Sequence, residues 1–224
     1  MNAIDIEKII AESEEELSAQ FKALEKIAYS NQCRVMEAFQ KSKIALRHFA
    51  ASSGYGYGDE GRDTLNALFA DIFGAEAALV SPNILSGTHA LTVGLFGLLR
   101  TGDTLFSVSG NPYDTLQEVI GGKDIGSLAD FGISFKKCEL KNGDFDTDAI
   151  REGLSDRTVK VVFIQRSRGY EWRDALSEEK IRKICSFVRS CGFTGCIFVD
   201  NCYGEFVETS EPTQNGADIC VGSL

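Results

Sequence analysis

Strand-like and helix-like segments alternate along the second half of this chain, and this order constrains the fold more than any other feature. Asp146 and Ser177 directly precede two of the helical segments, as N-cap residues do. The pattern predicts an α/β domain with a mostly parallel sheet and helices on both faces. The expected strands are 104–108, 132–140, 159–165 and 195–200, and the expected helices are 113–120, 147–154 and 177–190.

Residues 2–47 have apolar residues at three- and four-residue steps, with an acidic opposite face. We therefore expect a helical arm over residues 1–48, ahead of an α/β domain over residues 49–224. The pattern leaves open whether the arm packs on its own domain or on a second subunit. A further helix is expected from Thr64 to Phe73, ended by Gly74.

A small-residue turn follows a predicted short strand that ends at Leu79-Val80 and opens a helix at Ser86-Gly87-Thr88. The first N–H groups of a helix have no partner inside it, and its dipole favours an anion there. Ser86 and Thr88 add hydroxyl donors, and Gly87 allows close approach to the backbone. The turn therefore fits an anion site, although Ser86 as a simple helix cap is the alternative. His89 is interpreted as a packed or capping residue.

Two more polar features stand where strands are predicted to end. One is the loop of residues 165–170, and the other is Asp200, which follows the apolar run Phe198-Val199. A buried carboxylate needs a cation or several donors, so we expect a positive partner for Asp200. An N-cap or a salt bridge with an arginine is the alternative explanation.

The segment 52–63 interleaves glycines with Tyr55 and Tyr57. Such a sequence disfavours a regular helix and favours a loop that presents the two rings to another surface. The alternative is a solvent loop whose rings lie against the domain surface.

The formal net charge is −10, with no basic stripe, which disfavours nucleic acid as a partner. Seven cysteines without a C-x-x-C pair, together with two histidines, argue against a disulfide framework and a zinc site. No apolar run is long enough for a membrane span, and the acidic N-terminus is unlike a targeting peptide, so a cytoplasmic protein without membrane attachment is expected.

An anion-binding turn, the aromatic residue Tyr113 and the strand-terminal Asp200 together match what pyridoxal phosphate (PLP) requires: a phosphate site, a stacking ring and a carboxylate for the pyridine nitrogen. The sequence resembles the aluminium-resistance or methionine gamma-lyase-like family of fold type I PLP enzymes. The matching stretches are residues 54–57, 86–90, 99–103, 112–116, 165–170 and 199–204.

The resemblance implies a fold type I PLP-transferase large domain and a set of site residues. Ser86, Gly87, Thr88 and Ser223 would contact the phosphate, Tyr113 would stack on the ring, Asp200 would pair with the ring nitrogen, and Arg168 would bind substrate. Tyr55 and Tyr57 would reach a neighbouring subunit's site, with Tyr57, Tyr113 and Asp200 as the catalytic residues, so a homodimer or homotetramer is expected. Asp59 stands where related lyases have an arginine, with Arg62 as the substitute, and Ser81 also replaces an arginine.

The family further implies a carbon–sulfur lyase acting on a small sulfur-containing amino acid. Its members continue beyond Leu224 with the lysine that binds the cofactor covalently, so the chain is expected to be the N-terminal piece of a two-domain protein and inactive alone. The alternative is a non-catalytic fragment or structural subunit that retains the fold. A nucleotide-binding α/β domain is disfavoured because no G-x-G-x-x-G follows the first strand.

Overall fold

The computed structural model describes residues 5–52 and 54–224; residues 1–4 of the expected arm and Ser53 of the Gly–Tyr segment lie outside them. The elements follow in this order: α1 (Ile6–Glu16), α2 (Ser18–Lys41), α3 (Glu60–Phe73), α4 (Gly87–Leu98), β1 (Thr104–Ser107), α5 (Asp114–Gly121), β2 (Ser134–Lys137), β3 (Leu140–Lys141), β4 (Asp144–Phe145), α6 (Thr147–Leu154), β5 (Val159–Gln165), α7 (Glu178–Ser190), β6 (Cys196–Asp200) and β7 (Ile219–Val221). Short 3₁₀ helices lie at Leu46–Phe49 and Pro212–Asn215.

The central sheet has five parallel strands in the order β2-β1-β5-β6-β7. In the centre of this sheet, Gln165 of β5 lies opposite Asp200 of β6, and Asp200 lies opposite Val221 of β7. Because all strands run the same way, their polar terminal residues meet at one carboxyl edge.

Helices cover both faces of the sheet, as the sequence predicts. On one face α4 and α5 bury Leu91, Leu95 and Leu116 against Phe163 and Phe198 of the sheet. On the other face α6 and α7 bury side chains such as Ile150, Ile181 and Val188 against the alternate residues of the same strands. Strands buried on both faces explain the continuous apolar runs of β5 and β6.

The N-terminal arm consists of α1 and α2, and it contacts the α/β domain through the second half of α2. Ala38 packs with Leu68 and Ile72 of α3, beside Phe206 from the loop after β6. Helix α1 buries none of its residues. In the part of the chain that the structure describes, no helix has the combination of length and hydropathy that a membrane span needs.

Several predicted bounds were wrong. Leu79-Val80 forms no strand, because the Val80 amide donates to the Asn66 Oδ1 atom of α3 instead of to a neighbouring strand. The segment 132–140 is a strand only over Ser134–Lys137, and Leu140 joins a separate antiparallel pair with Phe145. Helix α3 begins at Glu60 because Asp59 caps it by accepting from the Arg62 N–H group.

Candidate cofactor site

The turn before α4 leaves backbone donors free at the carboxyl edge of the sheet. The extended backbone of Ser86 starts the helix, and its hydroxyl oxygen accepts from the His89 N–H group at 3.1 Å. No hydrogen bond uses the N–H groups of Gly87 or Thr88 among the residues that the structure describes. His89 Nδ1 accepts from the Leu85 N–H group at 3.2 Å, which confirms its capping role. The turn thus combines a real N-cap with two available donors, as an anion site requires.

Tyr113 lies beside this turn. Its hydroxyl group is 2.9 Å from Thr88 Oγ1, which is itself 3.2 Å from Thr115 Oγ1. The Tyr113 N–H group donates to Gln165 Oε1 at 2.8 Å, so the end of β5 fixes the start of α5. Burial raises the pKa of the half-buried Tyr113 phenol, and the Asp200 charge adds to this effect. Tyr113 therefore lies within electrostatic reach of both Thr88 and Asp200.

Asp200 ends β6 with only 1% of its surface exposed. Its Oδ1 atom accepts from the Cys202 N–H group at 3.0 Å, and the Cys202 thiol also bonds to the carboxyl group. No ion pair involves Asp200 among the described residues, so the alternative of a salt bridge with an arginine is not found there, and the expected positive partner stays a prediction. Burial accordingly raises the pKa of Asp200, an effect that its bonds to Cys202 oppose and that Glu205 reinforces.

Cys202 and Ser223 converge on Gly87. A Cβ atom at position 87 would lie 3.0 Å from Cys202 Sγ and 3.5 Å from Ser223 Cβ. Glu205 fixes this corner, since its Oε1 atom accepts from the Ser223 N–H group at 2.8 Å. The structure therefore brings together Ser86, Gly87, Thr88, Tyr113, Asp200 and Ser223 at one edge of the sheet.

The two arginines of the loop after β5 have different environments. Arg166, which lies next to Gln165, is buried and forms ion pairs with Glu178 at 2.8 Å and Glu208 at 2.7 Å. Arg168 lies 5.6 Å from the ring centroid of the exposed Trp172. It also lines an open, mostly apolar hollow of about 540 Å³ that includes Tyr203 and Gly204. Arg168 is thus available at the carboxyl edge for an anionic group.

The Gly–Tyr segment over residues 54–58 is a loop, with Tyr55 and Tyr57 exposed. Arg62 holds its backbone, donating to the carbonyl groups of Gly54 at 3.1 Å and Gly56 at 2.9 Å. Arg62 also pairs with Asp63. These bonds commit the guanidinium to the loop backbone and to the Asp63 carboxylate.

The donor set fits PLP better than a metal ion. A buried carboxylate without a cation suits a protonated pyridine nitrogen, and the free N–H groups of Gly87 and Thr88 suit a phosphate. In the described residues no group of three His, Cys, Asp or Glu side chains could bind a metal. All seven cysteines are free thiols in this structure.

Sequence reasoning missed several residues that shape this edge. Gln165, Cys202 and Glu205 each bond to a residue with an expected role, namely Tyr113, Asp200 and Ser223. Gln165 and Cys202 lie within the matching stretches 165–170 and 199–204, so their positions carried a signal even though their contacts were not predicted. The contact between Glu205 and Ser223 joins residues 18 positions apart around a loop, and no sequence pattern reports such a contact.

Comparison with known proteins gives a consistent result. The family model described as methionine gamma-lyase matches residues 6–224. Protein YnbB of Bacillus subtilis, which is described as uncharacterized, is 45% identical over 223 residues, covering 98% of this chain and 53% of YnbB. The carbon-sulfur lyase involved in aluminium resistance from Clostridium novyi is 46% identical with a TM-score of 0.90, covering 95% of this chain and 51% of that protein. This chain therefore spans about half the length of these relatives.

A more distant structure supports the architecture alone. Apo CalE6, a methionine gamma lyase from Micromonospora echinospora, is 20% identical with a TM-score of 0.57, covering 80% of this chain and 44% of that protein. The parallel sheet with helices on both faces is thus the fold type I architecture that the sequence predicts.

Proposed function

This chain belongs to the methionine gamma-lyase family. From that premise we propose that it binds PLP at the carboxyl edge of its sheet and forms the PLP-binding domain of a carbon–sulfur lyase. One observation carries the proposal: the buried Asp200 carboxylate has no cationic partner among the described residues, and it adjoins a helix N-terminus with free N–H groups. A ligand that presents a cation and an anion on one rigid ring would satisfy both.

In this proposal each site residue has a defined task. The N–H groups of Gly87 and Thr88 and the hydroxyl groups of Ser86 and Ser223 bind the phosphate, while the Tyr113 ring lies on the pyridine face. The Asp200 carboxylate holds a proton on the pyridine nitrogen, because an ion pair there removes the burial penalty that now raises its pKa. PLP, when bound, supplies an electron-withdrawing ring that stabilises negative charge at the substrate α-carbon.

The remaining assignments concern the substrate and the assembly. Arg168 binds the carboxylate of a sulfur-containing amino acid, since it is the arginine available at this edge while Arg166 is enclosed by Glu178 and Glu208. Tyr55 and Tyr57 complete the site of a second subunit in a homodimer or homotetramer. The cytoplasm is the proposed compartment, for which seven free thiols are suitable.

Titration of the intact protein with PLP, followed by quenching of protein fluorescence, tests the proposal. We expect saturable binding by the unmodified protein and binding at least about tenfold weaker for Asp200→Asn, because a neutral amide loses the ion pair with the ring nitrogen. The melting temperature without ligand should not fall, since the substitution removes a buried charge that lacks a cation. Equal PLP affinity in the two proteins would contradict the proposal.

A further inference from the structure

The N-terminal arm contacts the loop that follows Asp200 through polar side chains as well as through apolar packing. We infer that Arg34 and Asn31 of α2 are positioning residues for Asp200, acting through a buried chain of hydrogen bonds that passes through Glu211 and Asn201. The inference rests on the function proposed above and deepens it, because it makes the arm part of the framework of the PLP site.

The first contacts in this series of hydrogen bonds join α2 to residues 206–209. Asn31 Nδ2 donates to the carbonyl oxygens of Phe206 at 2.8 Å and Glu208 at 3.0 Å. Arg34 Nη1 donates to the Thr209 carbonyl oxygen at 3.0 Å, and its guanidinium lies 5.7 Å from the Phe206 ring centroid. Phe206 has a φ of 60°, a left-handed conformation that costs energy in a residue with a Cβ atom. The bonds from α2 help to hold the loop in this conformation.

Glu211 lies at the centre of this series of hydrogen bonds and is completely buried. Its Oε1 atom accepts hydrogen bonds from Arg34 Nη2 at 3.3 Å and from the Phe206 N–H group at 3.0 Å. Its Oε2 atom accepts from Asn201 Nδ2 at 3.0 Å. One carboxylate therefore joins the arm, the loop and the residue next to Asp200.

Asn201 passes this restraint to Asp200. Its Oδ1 atom accepts from Arg166 Nη1 at 2.7 Å, so both ends of its side-chain amide are bound. The Asn201 N–H group donates to the Val221 carbonyl oxygen at 2.7 Å, and the Asp200 carbonyl oxygen accepts from the Arg166 N–H group at 3.0 Å. A shift of Asn201 would thus move the main chain that directs the Asp200 carboxylate.

The charges around Glu211 make its hydrogen bonds sensitive to the loss of Arg34. Arg34 of α2 and Arg166 after β5 face it as cations, while Glu178 of α7, Glu208 of the same loop and Cys220 of β7 surround the same cluster. Burial raises the pKa of Glu211, and its hydrogen bonds and the two arginines oppose this rise. Without Arg34 the carboxyl group would take up a proton more readily and lose an acceptor position towards Asn201 or Phe206.

The test compares Arg34→Met with Arg34→Lys, using PLP titrations of the intact protein between pH 6 and pH 9. We expect Arg34→Met to weaken PLP binding roughly tenfold at pH 7, as the loss of a charge-assisted buried bond would. The deficit should be larger at the acidic end of this range than at the alkaline end, because burial raises the pKa of Glu211 and a protonated carboxyl group loses an acceptor oxygen. Arg34→Lys keeps the cation and should remain within about twofold of the unmodified protein.

Arg182→Met is the matched control, since Arg182 forms only an exposed pair with Glu179 on α7. It should leave the affinity and its pH dependence unchanged. If Arg34→Met lowers the melting temperature but binds PLP with the affinity and pH profile of the unmodified protein, α2 is only a structural support and the inference is wrong. Should Arg34→Met fail to fold, Glu211→Gln, which keeps the side-chain shape but cannot titrate, is judged by its PLP affinity at pH 7 alone: weaker binding supports the inference and unchanged affinity overturns it.

Asp200→Asn, measured in the same titrations, separates this inference from the proposed function. If the unmodified protein does not bind PLP, or if Asp200→Asn binds it equally well, both are overturned. If Asp200→Asn weakens binding while Arg34→Met and Glu211→Gln do not, only the role of the arm is overturned.

Discussion

Two regions with expected roles in the site differ in how much of their environment this chain supplies. The carboxyl edge around Asp200 is enclosed, with Asp200, Asn201 and Glu211 each at most 1% exposed. The Gly–Tyr loop of residues 54–58 is open: a Cβ atom at Gly54, Gly56 or Gly58 would have no described neighbour within 4 Å. In the first region β6 pairs with β5 and β7 on its two sides, whereas Arg62 holds the second mainly through backbone carbonyl groups.

This difference separates two kinds of site residue. Side chains that pack at the carboxyl edge, such as Tyr113, contribute to stability and to the proposed cofactor site together, so their truncation should lower both stability and PLP affinity. Tyr55 and Tyr57 are exposed on a loop whose backbone conformation comes from the glycines and Arg62, so substitution of the Tyr57 ring should cost the fold little.

The largest contrast is expected between Tyr113→Ala and Tyr57→Ala. Tyr113→Ala should lower the free energy of unfolding by about 3 kcal/mol, because it removes a half-buried ring and the bond to Thr88. Tyr57→Ala should change it by less than about 0.5 kcal/mol, because the ring is exposed. Urea denaturation of both variants measures the difference. If Tyr57→Ala destabilised the isolated subunit as much as Tyr113→Ala, the separation would fail.

Local sequence patterns predicted the sheet and its helices well, since the relevant physics is local. Helix α6 and strand β5 have the predicted bounds, and Asp146 and Ser177 cap α6 and α7 with side-chain bonds to the first-turn N–H groups. Alternating strand and helix patterns also place Asp200 at the correct edge, because every parallel strand ends there.

The surroundings of Asp200 could not be predicted in the same way. The sequence indicated a need for a cation, but the nearby Arg166 is directed to Glu178 and Glu208 instead. That choice depends on contacts between residues 12 and 42 positions apart, and the bond from Arg34 to Glu211 spans 177 positions. Patterns of hydropathy identify buried faces but do not identify which buried charges meet. The uses of Tyr55, Tyr57 and Arg168 remain predictions for the same reason.

The buried charges of the carboxyl edge should make the free energy of unfolding depend on pH between pH 5 and pH 8, whereas the Gly–Tyr loop should not. Burial raises the pKa of Glu178 to about 7, against the opposing effect of Arg166. A carboxyl group with a pKa higher in the folded than in the unfolded state stabilises the fold fully below its unfolded pKa of 4.5. That contribution is lost as the pH rises through about 7.

Glu178→Gln should therefore reduce the loss of stability between pH 5 and pH 8 by on the order of 2 kcal/mol relative to the unmodified protein. Urea denaturation of both proteins at the two pH values measures this difference. Asp59→Asn in the cap of α3 is the comparison from the loop side. The hydrogen bond from the Arg62 N–H group lowers the pKa of the partly buried Asp59 from its ordinary value of 3.8, so this substitution should leave the stability change between pH 5 and pH 8 unaltered. A larger decline with pH in Glu178→Gln would show that Arg166 keeps this carboxyl group ionised.

The smallest effect on stability should come from alanine substitutions at two glycines of α4, one packed against the carboxyl edge and one facing open space. An alanine at Gly87 would bring its Cβ atom within 3.0 Å of Cys202 Sγ, whose thiol bonds to Asp200, so the neighbour can yield only by disturbing the carboxyl group. At Gly97 of the same helix nothing lies within 4 Å, and alanine is the better helix former. We expect Gly87→Ala to lower the free energy of unfolding by about 1 kcal/mol and Gly97→Ala to raise it by about 0.5 kcal/mol.

PLP affinity adds a second readout to this pair. Gly87→Ala should weaken PLP binding, because it crowds the free N–H groups and shifts Cys202, whereas Gly97→Ala should leave binding unchanged. The opposite signs in stability matter most, since both substitutions add the same methyl group to one helix and differ only in what that group meets. If both variants were stabilised and bound PLP equally well, Cys202 would be free to move, and the tight packing between the α4 turn and Asp200 would not be a constraint on the site.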